Sequence, residues 1–204
     1  MEKKKMKLWK KVLLVILALF IIFALLTLRN FIIITDILNK SEAYTSKTNY
    51  IATIYSIQND SVTVLKSYNK DGNYLTHTQI YGIDIPNERG IILYKNGNEK
   101  LEIIQSGEEK IAMTNDGFES SVKVIAVPDI ENIMQRLQFA AMARITTDYC
   151  NNIECYLIEI ADGWKMWVDK ETGLMHREIN GSIVAERSYR FDIVTDEDIA
   201  KPDI

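Results

Sequence analysis

From Val12 to Leu28 no position is charged and only Thr27 is polar. A helix over that stretch is about 25 Å long at roughly 1.5 Å per residue, enough to cross a hydrocarbon core about 30 Å thick. Arg29 can snorkel outward and Phe31–Ile34 can lie in the interface, which eases the mismatch. Beyond it, Ile33, Ile37, Leu38 and Tyr44 recur at helical spacing, with Asp36, Asn39, Lys40 and Glu42 between them. Residues 31–46 are therefore expected to continue the membrane helix and cover one face of the domain beyond it.

After Asn49 the period shortens to that of strands broken by turns. Tyr50–Ile57, Ser61–Tyr68, Tyr74–Tyr81, Gly90–Lys95, Lys100–Gln105 and Lys110–Thr114 are separated by N-D, N-K-D-G-N, N-G-N and S-G-E-E, with one longer loop at Gly82–Arg89. Such closely spaced turns predict an antiparallel meander. Val127-Pro128-Asp129 is expected to open a second helix, because proline suits a first turn. Its apolar face, Ile130, Ile133, Met134, Leu137, Ala140 and Ala141, is expected to pack on the sheet. Strands resume at Arg144–Cys150, Cys155–Ile160, Trp164–Asp169, Leu174–Ile179 and Ser182–Ile193. In the last, Ile183, Ala185, Tyr189, Phe191 and Ile193 share a face, with Arg187 as the exception, so the sheet is expected to bury one side. The fold class is α+β: an N-terminal transmembrane helix, then one domain of about eleven antiparallel strands covered by helices.

Charge orients this arrangement. Lys3, Lys4, Lys5, Lys7, Lys10 and Lys11 precede the apolar run, so residues 1–11 are expected in the cytoplasm, 12–28 as the membrane span and 31–204 outside. The run ends A-L-L-T-L-R-N-F, without the small-residue pattern of a cleavage site, and no cysteine follows it to carry a lipid. An uncleaved signal anchor at the cell membrane is the reading. Beyond residue 29 the chain holds 17 Lys and Arg against 27 Asp and Glu, a net of −10. That acidity excludes nucleic acid as a partner; it serves solubility or attracts a basic partner.

Candidate chemistry is sparse. Cys150 and Cys155 bracket N-N-I-E in a predicted hairpin and can face each other across it. Outside the cytoplasm they are disulfide candidates; with no second pair or nearby histidine they are not a zinc set. His176-Arg177-Glu178 has the H-x-E form of a zinc deaminase but lacks the downstream P-C-x-x-C, so His176 is expected on a strand surface. His77 has no nucleophile motif beside it. Asp162-Gly163 and Asp169–Glu171 lack calcium-loop spacing and read as turns. No catalytic residue, metal site or cofactor is expected.

The segment from Trp164, W-K-M-W-V-D-K-E-T-G-L-M-H-R-E, leads through N-G into a long alternating strand and a final D-E-D-I-A-K-P. This resembles the LolA/LolB-like lipoprotein-carrier superfamily, which includes the RseB sensor and GerS-like germination proteins; Trp167–Leu174 is its distinctive motif, and the resemblance covers most of residues 31–204. The resemblance implies an incomplete β-barrel closed by helices around an apolar groove for acyl chains. Groove candidates are Ile130, Ile133, Met134, Leu137, Trp164, Met166, Val168, Tyr189 and Phe191, although Trp164, Met166 and Val168 serve equally well as ordinary core. Two functions are open. One is a membrane-anchored, non-enzymatic binding or scaffolding protein holding a lipid or acylated peptide. The other is a packed partner module for an envelope or sporulation enzyme.

Overall fold

The computed structural model describes residues 8–82, 89–114, 122–127, 130 and 132–203. The expected loop 82–89 and the helix opening at 128–129 lie largely outside them.

Helix α1 runs from Leu8 to Thr45 without interruption. The apolar run and the amphipathic stretch after it are one rod, roughly 57 Å long. Its first part, Leu8–Leu26, is exposed throughout. Its last part is buried at Ile34 and Ile37.

Eleven strands form a single antiparallel sheet: β1 Tyr50–Gln58, β2 Ser61–Lys70, β3 Asn73–Gly82, β4 Arg89–Asn96, β5 Glu99–Ser106, β6 Glu109–Thr114, β7 Arg144–Cys150, β8 Ile153–Glu159, β9 Lys165–Asp169, β10 Met175–Asn180 and β11 Ile183–Phe191. Sequence neighbours are sheet neighbours, except that β1 lies beside β11 and the sheet stays open between β6 and β7. The hairpins are tight because their tips tolerate positive φ. Asp71 and Gly72 sit at 51° and 82°, and Asn151 and Asn152 at 51° and 66°, the conformation that matches strand twist in two-residue turns.

The second helix, α2, spans Ile133–Met142. It starts later than the proline signal predicts, because Asn132 caps it instead. The Asn132 side chain accepts from Gln135 N at 2.9 Å, and the Gln135 side chain accepts from Asn132 N, a reciprocal capping box. Ile130 lies before the helix and is buried in the core.

The expectation of a single buried side is not met. On the face toward α1, the inner face, Ile34 and Ile37 pack on Ile145, Ile158, Met166, Val168 and Met175. On the outer face of the first half, Ile51, Leu75 and Tyr94 are covered by Val194 and Ile199 of the C-terminal tail. A third, smaller cluster, Cys150, Cys155 and Trp167, occupies the outer face of the second half.

Gly173 fixes how α1 meets the sheet. It lies in the E-T-G-L turn at φ +72°, and a Cβ there would stand 2.3 Å from the Ile37 carbonyl oxygen. Only glycine satisfies both the left-handed backbone and the approach of the helix. Lys40 Nζ donates to the Lys170 carbonyl at 2.8 Å beside it. Asp169 stitches the turn, accepting from Glu171 N at 2.8 Å and from the Thr172 hydroxyl at 2.7 Å. Its carboxylate is thus occupied as a turn residue.

Candidate functional site

Among the described residues, a cleft of about 780 Å³ lies between the last turns of α1 and the segment 122–127. Leu38, Glu42 and Thr45 form one wall; Lys123, Ile125 and Val127 form the other; Tyr50 closes the base, and Ile130 and Arg136 one end. The 122–127 wall is tied to the sheet. The Tyr50 hydroxyl donates to the Val122 carbonyl at 2.9 Å, the Ile125 N–H donates to the Tyr189 hydroxyl at 3.4 Å, and Met175 N donates to the Ile125 carbonyl at 2.9 Å. Phe191 brings the aromatic floor together, with Tyr44 at 5.2 Å, Tyr50 at 6.3 Å and Tyr189 at 6.3 Å between ring centroids. Burial pushes the Tyr50 and Tyr189 phenols above their ordinary range, so both stay neutral hydrogen-bonding groups.

The lining is mixed. Apolar side chains share it with Glu42 and Lys123, and the Arg136 Nε is buried with no partner among the described residues. A buried N–H without an acceptor costs free energy, which an anionic or carbonyl group entering the cleft would relieve.

The nine groove candidates do not form one site. Ile130 lines the cleft, and Tyr189 and Phe191 lie beneath it. Met166 and Val168 are 0% exposed and fill the core under α1, with Trp164 packed against them. Ile133, Met134 and Leu137 face neither cleft nor sheet: with Ala141 they line an apolar furrow against Phe20–Phe31 of α1. This corrects the expected packing on the strands for these residues; of the expected face only Ile130 and Ala140 join the core, where Phe139 accompanies them.

Arg187, the polar exception on its strand, sits on the inner face and is 10% exposed. Its Nη2 donates to Glu178 at 2.6 Å, and the Trp164 indole N–H donates to the same carboxylate at 2.9 Å. Its Nε and Nη1 have no partner among the described residues. His176 is also drawn inward, which corrects its expected surface position. Its Nδ1 is 3.1 Å from the Arg187 carbonyl, and its ring lies against Tyr189. His77 is half-buried, and desolvation, then Lys66, holds its imidazole below the usual range. Among the described residues no three His, Cys, Asp or Glu side chains cluster as metal ligands.

Cys150 and Cys155 are both buried with free thiols. They are not directly opposed: Cys150 pairs with Ile153, and Cys155 with Asp148, so the sulfurs belong to diagonal positions on the outer face. Burial, reinforced by the neighbouring Cys150, pushes the Cys155 thiol up to about 11.

No protein-family model matches the chain, and no curated protein matches its sequence. Among solved structures, the chain is similar to MucB in the crystal structure of MucB in complex with MucA(peri), at 14% identity and a TM-score of 0.39, covering 82% of this chain and 59% of that one. It is also similar to the Pseudomonas aeruginosa MucA/MucB complex structure, at 12% identity and a TM-score of 0.40, covering 82% and 61%. The chain thus spans about three fifths of the length of the chains it matches.

Proposed function

We propose that this is a membrane-tethered, non-enzymatic binding or scaffolding protein that holds an acylated or amphiphilic peptide segment of an envelope partner in the cleft at the end of α1. A place in the LolA/RseB-like superfamily, a cytoplasmic N-terminus and a domain outside the cell membrane are part of the proposal. The cleft carries it. Its volume of about 780 Å³ falls in the range of small-molecule and peptide sites. Its apolar walls suit an acyl group or a large side chain, while Lys123 and the Arg136 Nε, which has no partner among the described residues, suit a polar or anionic end. The exposed apolar run Val12–Leu26 of α1, with Lys10 and Lys11 before it, supports the tether.

The test is native mass spectrometry of the full chain extracted from its own membranes in lipid nanodiscs. A bound acylated or peptidic mass is expected, and Thr45→Trp, which fills the cleft, is expected to remove it. A ligand-free protein that also fails to take up an added acylated peptide would overturn the reading. The filled core under α1, where Ile158, Met166 and Val168 are 0% exposed, favours a second reading: a partner module that binds by its surface. That reading predicts a protein complex in the same experiment which Thr45→Trp leaves intact.

A further inference from the structure

We propose that α2 is a second membrane-contacting element, and that its exposed apolar face lies among the acyl chains of the outer leaflet beside the anchor helix. This rests on the tether reading above and goes beyond it, because it places part of the folded domain inside the bilayer.

α2 has three faces at roughly 100° per residue. Phe139 and Ala140 turn to the core. Gln135 and Gln138 lie on the polar side. The third face is Ile133, Met134, Leu137 and Ala141, and its large members are 73%, 60% and 45% exposed. Isolated exposed apolar residues are ordinary, but a contiguous stripe of them marks an interaction surface. What covers it is set by its other wall. The furrow of about 640 Å³ on this face is shared with Phe20, Phe23, Ala24, Thr27, Leu28 and Phe31 of α1. Phe20–Leu28 fall within the apolar run that matches the hydrocarbon core. A surface sharing a furrow with those residues lies at their depth, so if they are in lipid, so is α2.

The helix is built for that medium. An element entering hydrocarbon must satisfy its own backbone, termini included. Asn132 and Gln135 cap the start. At the end the buried Asn30 side chain donates to the Ala140 and Ala143 carbonyls at 3.1 and 2.7 Å. Arg29 Nη1 donates to the Ile145 carbonyl at 3.1 Å just beyond. The polar residues that end the apolar run of α1 thus close the C-terminus of α2. The one charge in α2, Arg136, points away from the furrow and into the cleft.

The experiment is site-directed spin labelling of the full chain in phosphatidylethanolamine/phosphatidylglycerol vesicles, with collision rates measured for oxygen and for the water-soluble complex NiEDDA. Labels go at Leu137 and Met134, at Phe23 as the membrane reference and at the exposed Tyr149 as the aqueous one, in a Cys150→Ser/Cys155→Ser background whose melting matches the parent. Labels at 134 and 137 are expected to match Phe23, with high oxygen access and NiEDDA access several-fold below that of Tyr149. If Phe23 is lipid-exposed and Leu137 meets NiEDDA as freely as Tyr149, the proposal falls and the tether stands. If Leu137 is shielded from both reagents and immobile, protein covers it, a second copy or a partner helix, and the proposal falls too. If Phe23 itself meets NiEDDA freely, the tether and this inference fail together.

Discussion

In strands β7 to β10 the inner face is the greasy one: Ile145, Ile158, Met166 and Val168 lie under α1. In strands β2 to β5 the apolar cluster of Leu75 and Tyr94 lies on the outer face instead, and the C-terminal tail covers it with Val194 and Ile199. The inner face of those same strands sets large buried side chains, Tyr74 and Leu93, beside small polar groups that are buried and bonded to each other. The Ser67 and Thr76 hydroxyls are 2.7 Å apart, and the Asn69 amide donates to Ser67 at 3.1 Å. One continuous sheet therefore serves two cores on opposite sides. The strand at the junction shows the cost in pattern. In β1, Tyr50, Ile51 and Ala52 are all buried in succession, because the strand is covered from both sides and cannot alternate. A sheet need not choose one buried face if different segments of chain come to cover it.

The sharpest way to break the comparison is at the contact that holds α1 to the second half. Gly173→Ala puts a Cβ against the Ile37 carbonyl at a left-handed backbone position. Strain and overpacking together are expected to cost about 3–5 kcal/mol, read by denaturant unfolding in detergent; a loss under about 1 kcal/mol would mean the helix can shift off the turn. Next come the two cores themselves. Met166→Ala, in the fully buried cluster, is expected to cost about 2–5 kcal/mol, and Ile199→Ala, under the thinner tail cover, a value at the lower end of that range. Hydrogen exchange sharpens the contrast: Ile199→Ala should expose amides of β2–β5 before those of β8–β10, and uniform loss of protection would merge the two cores into one.

The outer face of the second half gives a pH signature. Burial raises the Cys155 thiol from 9.0 to about 11, so the folded state favours the neutral form. Its contribution is fully present below pH 9 and is lost as pH rises toward 11. The native protein should react slowly with a thiol reagent at pH 8 and yield two thiols on unfolding; no thiols on unfolding would establish the Cys150–Cys155 disulfide instead. The smallest effect is expected at the tail's surface clasp. Lys70 meets Asp196 at 2.6 Å, with the Asp196 side chain 89% exposed, and Lys70→Ala should cost at most about 1 kcal/mol, measured as a melting shift that vanishes in high salt.

Much of this architecture is legible in the residues alone. The hairpins announce themselves through pairs such as Asp71-Gly72 and Asn151-Asn152, whose backbone freedom is a local property. The apolar run of α1 is just as plain. The start of α2 is harder to place, because Pro128 competes with a second signal, N-I-M-Q at Asn132–Gln135, which satisfies two helix-end groups at once. The stripe Ile133, Met134, Leu137 stands at the right period, but a period says that a face is apolar and not what lies against it. The cleft is invisible in the sequence for a deeper reason. Its second wall, Lys123–Val127, has no regular structure, and irregular backbone leaves no repeat to read. Arg187 breaks the alternation of its strand, and that break is the only trace of the buried ion pair with Glu178.

The unbroken length of α1 sets a working height. Leu38–Thr45, which wall the cleft, lie ten to seventeen residues past Leu28, or about 15–25 Å up a straight rod. The headgroup layer beyond the hydrocarbon is only about 5–8 Å deep on each side. If Val12–Leu28 crosses the bilayer as proposed and the rod stands upright, a lipid resting in its leaflet is out of reach, and an occupant must either be lifted free or be carried there on a stretch of polypeptide.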